Sequence, residues 1–300
     1  MSTDRGGVAF ALAAYGIWGL APLFFNLLPQ AGAFEIVAHR VVWSVVVLGT
    51  LLTLQRQWGA LAVLDARRLV GLVASGALIA CNWGIFIWAL KSERLVEASL
   101  GYFINPLVSV LLGVLVLRER LTRPQLLALL LAAAGVLNQV VTVGVVPWMG
   151  IALALTFGCY GLVRKRIGVN AAVGLSVETA LVLPFALAWI AFEASSGHGA
   201  LVRGQPLELG LLALSGLVTV VPLICFAAAA NRLPLTTLGF VQYLSPSITL
   251  LLAVFLYQEP FGGMQYLTFA GIWAGLVIFS LEALYHQAGV RKRRVGGEAA

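Results

Sequence analysis

A single offset organises this chain. Pro106 recurs as Pro246, Glu119 as Glu259, Gln125 as Gln265 and Gly135 as Gly275, each 140 residues later. One such match means little, but four residue types at one spacing make an internal duplication the economical reading. The repeated stretches, 100–135 and 238–275, are otherwise apolar. Weaker echoes extend the pairing: Ser75-Gly76 with Ser215-Gly216, Gly16-x-Trp18-Gly19 with Gly158-x-Tyr160-Gly161, and Glu35 with Glu178 near the start of its own segment.

The solvent for this duplication follows from composition. Of 300 residues, 61% are hydrophobic and 10% charged, where a soluble domain carries about 25% charged residues. So few charges cannot coat a water-facing surface, and the chain belongs to the membrane class. About 20 apolar residues span a bilayer as a helix, and ten such segments are expected: 8–28, 35–54, 69–90, 97–117, 124–141, 147–163, 173–192, 209–229, 236–257 and 265–284. The first is long and lacks a small-residue cleavage site, so it reads as a retained helix and not as a signal peptide. Only the connections 55–68 and 193–208 are long. Cys81, Cys159 and Cys225 lie inside apolar segments and suggest neither a disulfide framework nor a metal-ligand spacing.

Orientation comes from lysine and arginine. With a cytoplasmic N-terminus, 15 of the 19 basic residues fall inside, Lys91, Arg94 and Arg203 fall outside, and Arg40 lies within a helix. The net charge of +7 is therefore a topology signal and not a nucleic-acid footprint. The terminal run Arg291, Lys292, Arg293 and Arg294 would touch anionic lipid. Five helices per repeat is an odd number, so the second copy must enter from the opposite face. The expectation is an all-α polytopic protein of two inverted five-helix repeats, 8–141 and 147–284, with a basic cytoplasmic tail at 285–300 and both termini inside.

Several stretches carry a family resemblance: YGIWGLAP at 15–22, EIVAHR at 35–40, NWGIFIW at 82–88, EASLGYFINP at 97–106 and LGFVQYLSP at 238–246. Together with the duplication, the chain resembles the drug/metabolite transporter superfamily with its EamA repeats, and within it the RarD subfamily, over about residues 8–284. The resemblance implies an inner-membrane transporter, an exporter of small metabolites or drugs. It does not imply the substrate, because the superfamily moves amino acids, nucleotide sugars, sugar phosphates and drugs. Fused repeats suit a functional monomer.

Pro106 and Pro246 fall near the middle of the fourth and ninth segments. Each lacks an N–H and frees the carbonyl four residues back, that of Tyr102 or Gln242, and in hydrocarbon a freed carbonyl needs a partner. Tyr102 and Asn105, like Gln242, Tyr243 and Ser245, concentrate polar groups at these points. Interrupted helices at corresponding positions point to a transporter's binding site; the alternative is a packing kink. A second constellation is Glu35, His39 and Arg40. Glu35 and His39 share a helix face, and an intramembrane Arg40 needs a partner, for which Glu35 or Glu97 is available. This group is either anion-binding or proton-linked, or else a structural ion pair at the helix mouth. Glu178 has no basic residue within a helical turn and reads as a coupling carboxylate or as an acid suited to its helix dipole. The family resemblance makes Trp18, Asn82, Trp83, Tyr102 and Tyr160 candidates for substrate contact; Trp88 suits the interfacial belt. Glu119 and Glu259 read as anchors of the turns before Gln125 and Gln265.

No ATP-binding loop, cofactor motif or metal site is present, so a secondary transporter leads. A membrane-embedded enzyme would need a nucleophile–base pair, a zinc helix or an acidic metal site; His198 and His286 sit at membrane edges, and Asp4 and Asp65 outside. A passive facilitator of the same fold is indistinguishable at this level.

Overall fold

The computed structural model describes residues 4–91, 95–144, 146–256, 258 and 263–297, and these are helical almost throughout. The helices are α1 (Arg5–Phe25), α2 (Ala33–Leu54), α3 (Trp58–Ala62), α4 (Ala66–Lys91), α5 (Leu95–Leu117), α6 (Arg123–Val143), α7 (Trp148–Ile167), α8 (Ala171–Ser195), α9 (Ala200–Arg203), α10 (Pro206–Ala230), α11 (Leu235–Gln242), α12 (Leu244–Leu251) and α13 (Met264–Gly297), with a π-helical turn at Leu252–Leu256. Seven described segments are long and apolar enough to cross a membrane, and shorter apolar stretches occur at Gly101–Leu117 and Tyr266–Glu282. The expectation was ten. The difference includes α7, which continues as helix through Arg164, Lys165 and Arg166, residues read from the sequence as a loop. The short helices α3 and α9, unexpected from sequence, fold within the two long connections.

Local chemistry explains the boundaries. Asp4 caps α1 by accepting from the Gly6 and Gly7 amides. Thr122 and Gln125 form a reciprocal capping box at α6, Gln125 N donating to Thr122 Oγ1 at 3.3 Å and Thr122 N to Gln125 Oε1 at 3.2 Å. Arg118 and Gln258, again 140 residues apart, both adopt left-handed backbone, with φ of 55° and 54°. The duplication therefore extends to the turn that ends each central helix. Glu259 and the side chain of Gln265 lie outside the described residues.

The two halves pack as partners. The main pairs are α6 with α13, α5 with α7, α2 with α8, α4 with α7, α10 with α2, α1 with α10, α11 with α5, α1 with α12 and α4 with α8. Exchanging α1, α2, α4, α5 and α6 for α7, α8, α10, α11–α12 and α13 maps this set onto itself. Three pairs, α2 with α8, α5 with α11 and α6 with α13, are their own images, as a two-fold relation requires.

The prolines depart from the symmetric expectation. α5 runs unbroken through Pro106, whereas the second copy is divided at Tyr243, three residues before Pro246. Pro106 is accommodated by close packing: a Cβ at Gly239 would lie 2.7 Å from the Pro106 carbonyl oxygen. The correspondence of Glu35 and Glu178 also fails. Glu35 is in the first turn of α2, while Glu178 lies two turns into α8. Gly76 of α4 abuts Glu178, and Gly216 of α10 abuts Trp43 and Ser44, so the equivalent position falls at Trp43–Ser44 and not at Glu35.

Outward surfaces remain apolar, as lipid demands: Leu115, Leu137, Phe185 and Phe255 are all exposed. Helix contacts are correspondingly built on small residues. A Cβ at Gly135 would meet the Thr268 carbonyl oxygen at 2.6 Å, and one at Gly275 the Ala128 carbonyl oxygen at 2.7 Å. Gly135→Ala is therefore expected to separate α6 from α13 and destabilise the protein by about 1–3 kcal/mol, read as a lower thermal midpoint in detergent; an unchanged midpoint would show that this helix pair can give way freely.

Candidate functional site

At one end of the bundle the starts of α1, α8 and α11 meet the ends of α5, α7 and α10. Leu235 N and Thr236 N each donate to the Glu119 carboxylate at 2.8 Å. Glu119 was expected to anchor its own turn, but it caps a helix of the other half; the local anchoring falls to Thr122 and Gln125. Lys165 Nζ donates to the carbonyls of Ala230, at 3.3 Å, and Leu233, and Asn231 Nδ2 to the Val169 carbonyl at 3.0 Å. Beneath this lacing lies an apolar cluster that includes Ala11, Ala14, Tyr15, Tyr160, Phe226 and Leu235. Tyr160 stacks on Phe226 with 5.7 Å between centroids and 17° between planes. Trp18 leans on the same cluster, 5.7 Å from Phe157.

Glu178 sits within this end, and it has a basic partner after all. Arg164 Nη1 donates to Glu178 Oε1 at 3.2 Å, and both side chains are 1% exposed. Ser75 Oγ donates to the same oxygen at 2.5 Å and Tyr160 OH to Oε2 at 3.3 Å. Arg164 had been assigned to a loop; it follows Tyr160 by four residues, so one face of α7 presents both. Gly174 leaves room for the guanidinium, since a Cβ there would overlap Nη1.

Glu35 is occupied at the opposite end. Arg203 Nη2 donates to Glu35 Oε2 at 2.8 Å and to Glu208 Oε1 at 2.7 Å, Arg203 Nε donates to Glu208 Oε2 at 3.0 Å, and Ala200 N donates to Glu35 Oε1. The hydrogen bonds to Glu208 and Glu35 raise the Arg203 pKa above the usual guanidinium value. This knot ties α2 to α9 and α10. His39, one turn from Glu35, is buried and lines a small cleft with Glu193 and His198.

Arg40 therefore does not pair with Glu35, and the Glu97 side chain lies outside the described residues. Its Nε donates to Thr219 Oγ1 at 2.8 Å. The guanidinium lies 5.3 Å from the Phe25 ring centroid and 5.5 Å from that of Trp83, both within cation–π range. No carboxylate among the described residues pairs with it. Tyr102, near the same end of α5, is 52% exposed.

The residues expected at a shared proline-centred site divide. Gln242 is buried and accepts from Ser109 Oγ at 3.3 Å, bridging α11 and α5. Asn105 is buried, with its Oδ1 unpartnered among the described residues, and Ser245 is half-buried. Tyr243 points elsewhere: it is 1% exposed and packs with Ala132 and Ile272 of α6 and α13. Asn82 Nδ2 donates to the Leu153 carbonyl at 2.9 Å and Thr156 Oγ1 at 2.8 Å, joining α4 to α7. Trp88 is half-exposed and lies 5.3 Å from Trp148. Phe25, Thr219, Ser75, Arg164 and Arg203 were missed; apart from the spacing of Arg164 from Tyr160, each acts through a contact between distant segments.

The comparisons agree with this architecture. A model of the EamA-like transporter family matches residues 5–139 and again 146–281. The chain belongs to the EamA-like transporter family. This transporter is 46% identical over 286 residues to "Protein RarD" of Escherichia coli K12, covering 94% of this chain and 96% of that one. It is 47% identical over 293 residues to an "Uncharacterized transporter" of Vibrio cholerae, covering 96% and 95%, and 34% identical to the "Chloramphenicol-sensitive protein RarD" of Pseudomonas aeruginosa, covering 91% and 92%. It thus falls in the RarD-like branch. A solved crystal structure 19% identical superposes with a TM-score of 0.73 over 94% of this chain and 99% of its own, which speaks for the fold alone.

Breaking the buried pair has a stated direction. Glu178→Gln leaves Arg164 uncompensated and is expected to cost about 3–5 kcal/mol, whereas the double change Arg164→Met with Glu178→Met recovers most of it. Thermal unfolding in detergent checks both; additive losses would show that the two groups do not interact.

Proposed function

We propose that this membrane transporter is a secondary exporter of small metabolites or drug-like molecules in the inner membrane, working by alternating access between its two halves, with both termini cytoplasmic. The observation that carries this reading is the contrast between the two ends. At the basic end, Glu119 of the first half caps α11 of the second, and aromatic packing closes the space beneath. At the other end Tyr102 is exposed and Arg40 is uncompensated. The excess of lysine and arginine at the laced end makes it cytoplasmic, so the conformation is closed to the cytoplasm.

The two-fold packing of the halves supplies the rest of the mechanism. In repeats of inverted topology, the same set of contacts serves either side in turn. Opening the cytoplasmic side requires parting Glu119 from α11 and Tyr160 from Phe226, while α2, α9 and α10, tied by Arg203, move together. Glu178 sits within that movement, bonded to α4 and α7 at once, and is the group whose protonation would loosen the closed end. Asn105, Pro106 and Gln242 lie where α5 and α11 meet at the proposed axis and hold the two halves in register.

The test is uptake and counterflow in liposomes containing the purified protein, with a metabolite panel and with or without a pH gradient. Saturable counterflow is expected, and Glu178→Gln is expected to remove any dependence on the gradient. Non-saturable flux would favour a passive facilitator. Removing the cap by Glu119→Ala, about 0.5–2 kcal/mol of helix stabilisation, should speed maleimide labelling of a cysteine introduced at Ala11, with the native cysteines replaced; an unchanged rate would remove Glu119 from the closure.

A further inference from the structure

The cations that tie described helices to one another have partners. Arg164 is held by Glu178, Arg203 by Glu35 and Glu208, and Lys165 by two carbonyls. Arg40 is the exception. Glu35, one helical turn away, is withdrawn from it by Arg203 and by the Ala200 and Gly32 amides. A guanidinium has five N–H donors; Thr219 takes the one on Nε, and no described residue accepts from Nη1 or Nη2. The group is half-buried between Phe25 and Trp83, at the end of the bundle where Tyr102 is exposed. An unpaired charge inside a membrane helix is costly to keep, and rings hold it in place without neutralising it.

We propose that Arg40 receives the carboxylate of an organic monoanion whose flat apolar part lies against Trp83 and Tyr102, which makes the transported class aromatic or similarly planar carboxylates. This rests on the transporter reading and names the substrate class for it. The paired Nη groups match a carboxylate bidentately. A single positive charge, with no second cation beside it among the described residues, matches one negative charge, and a phosphate monoester of nearly two charges is undercompensated there. Thr219, bonded through Oγ1 on α10, is a positioning residue: it aims the fork from α2 and links the binding of the anion to a helix of the other half.

The test uses the purified full chain in phosphatidylcholine nanodiscs at constant ionic strength, with phenylacetate and its neutral isostere phenylacetamide as probes. Tryptophan fluorescence reports binding, Trp83 being the reporter checked by Trp83→Phe. Wild type is expected to bind phenylacetate roughly tenfold or more tightly than the amide, the difference one charge-assisted bond makes. Arg40→Gln is expected to abolish that preference and Arg40→Lys to retain part of it. Equal affinity for the two probes in wild type, an undiminished preference in Arg40→Gln, or displacement of phenylacetate by chloride at equal concentration overturns the proposal. Should Arg40→Gln fail to fold, the wild-type comparison and Arg40→Lys decide. Binding is read without a gradient, so liposome uptake that persists with no anion preference refutes this inference and leaves transport standing.

Discussion

Charge in a low-dielectric medium must be matched, and this requirement organises the bundle more than any packing detail. The buried contact of Arg164 with Glu178 joins α7 to α8, and Ser75 and Tyr160 complete the carboxylate's coordination from α4 and α7. Arg203 does the same for α2 and α10 through Glu35 and Glu208. Charges meet exposed backbone by the same rule: Glu119 accepts from the first amides of α11, where the helix dipole is positive, and Lys165 donates to the last carbonyls of α10, where it is negative. Because several of these contacts join the two halves, a change in any of them alters how the halves sit together.

The duplication gives those contacts their places without making them identical. Helix pairing is symmetric, as are the left-handed residues Arg118 and Gln258. The chemistry laid on the frame is not. The position equivalent to Glu178 falls at Trp43–Ser44, α5 is continuous where its partner is broken at Tyr243, and Arg40, which has no acidic partner among the described residues, occurs in the first half. Two copies released from identical duties can divide them: one end holds the Glu119 cap, the Arg164–Glu178 pair and aromatic stacking, while the other holds the Arg203 knot and a cation between rings.

Exposure and structural support are also divided among residues that look alike in sequence. Tyr102, Tyr160 and Tyr243 are all tyrosines within apolar helices. Tyr102 is exposed beside Arg40, Tyr160 is fixed by Glu178 and Phe226, and Tyr243 is buried against α6 and α13. The surroundings that separate them come from helix packing and not from the residue type.

The sequence alone determined the class and marked the repeat. Hydrophobic runs of bilayer length and an offset of 140 residues are periodic, and such patterns survive without coordinates, whereas the turn read from sequence as anchored by Glu119 is held by Thr122 and Gln125. Sequence also marked Glu35, Arg40 and Glu178 as ionisable groups out of place, because a charge in an apolar run is conspicuous wherever it folds. Their partners were decided only by the tertiary structure. Ser75 lies 103 residues from Glu178, Arg203 168 from Glu35 and Thr219 179 from Arg40, and no periodicity connects residues so far apart. Whether a buried charge is held by an acid or by neutral groups turns on which neighbour reaches it first, and that is set by helix packing: Arg203 takes Glu35, and among the described residues Arg40 is left with Thr219 and the rings of Phe25 and Trp83.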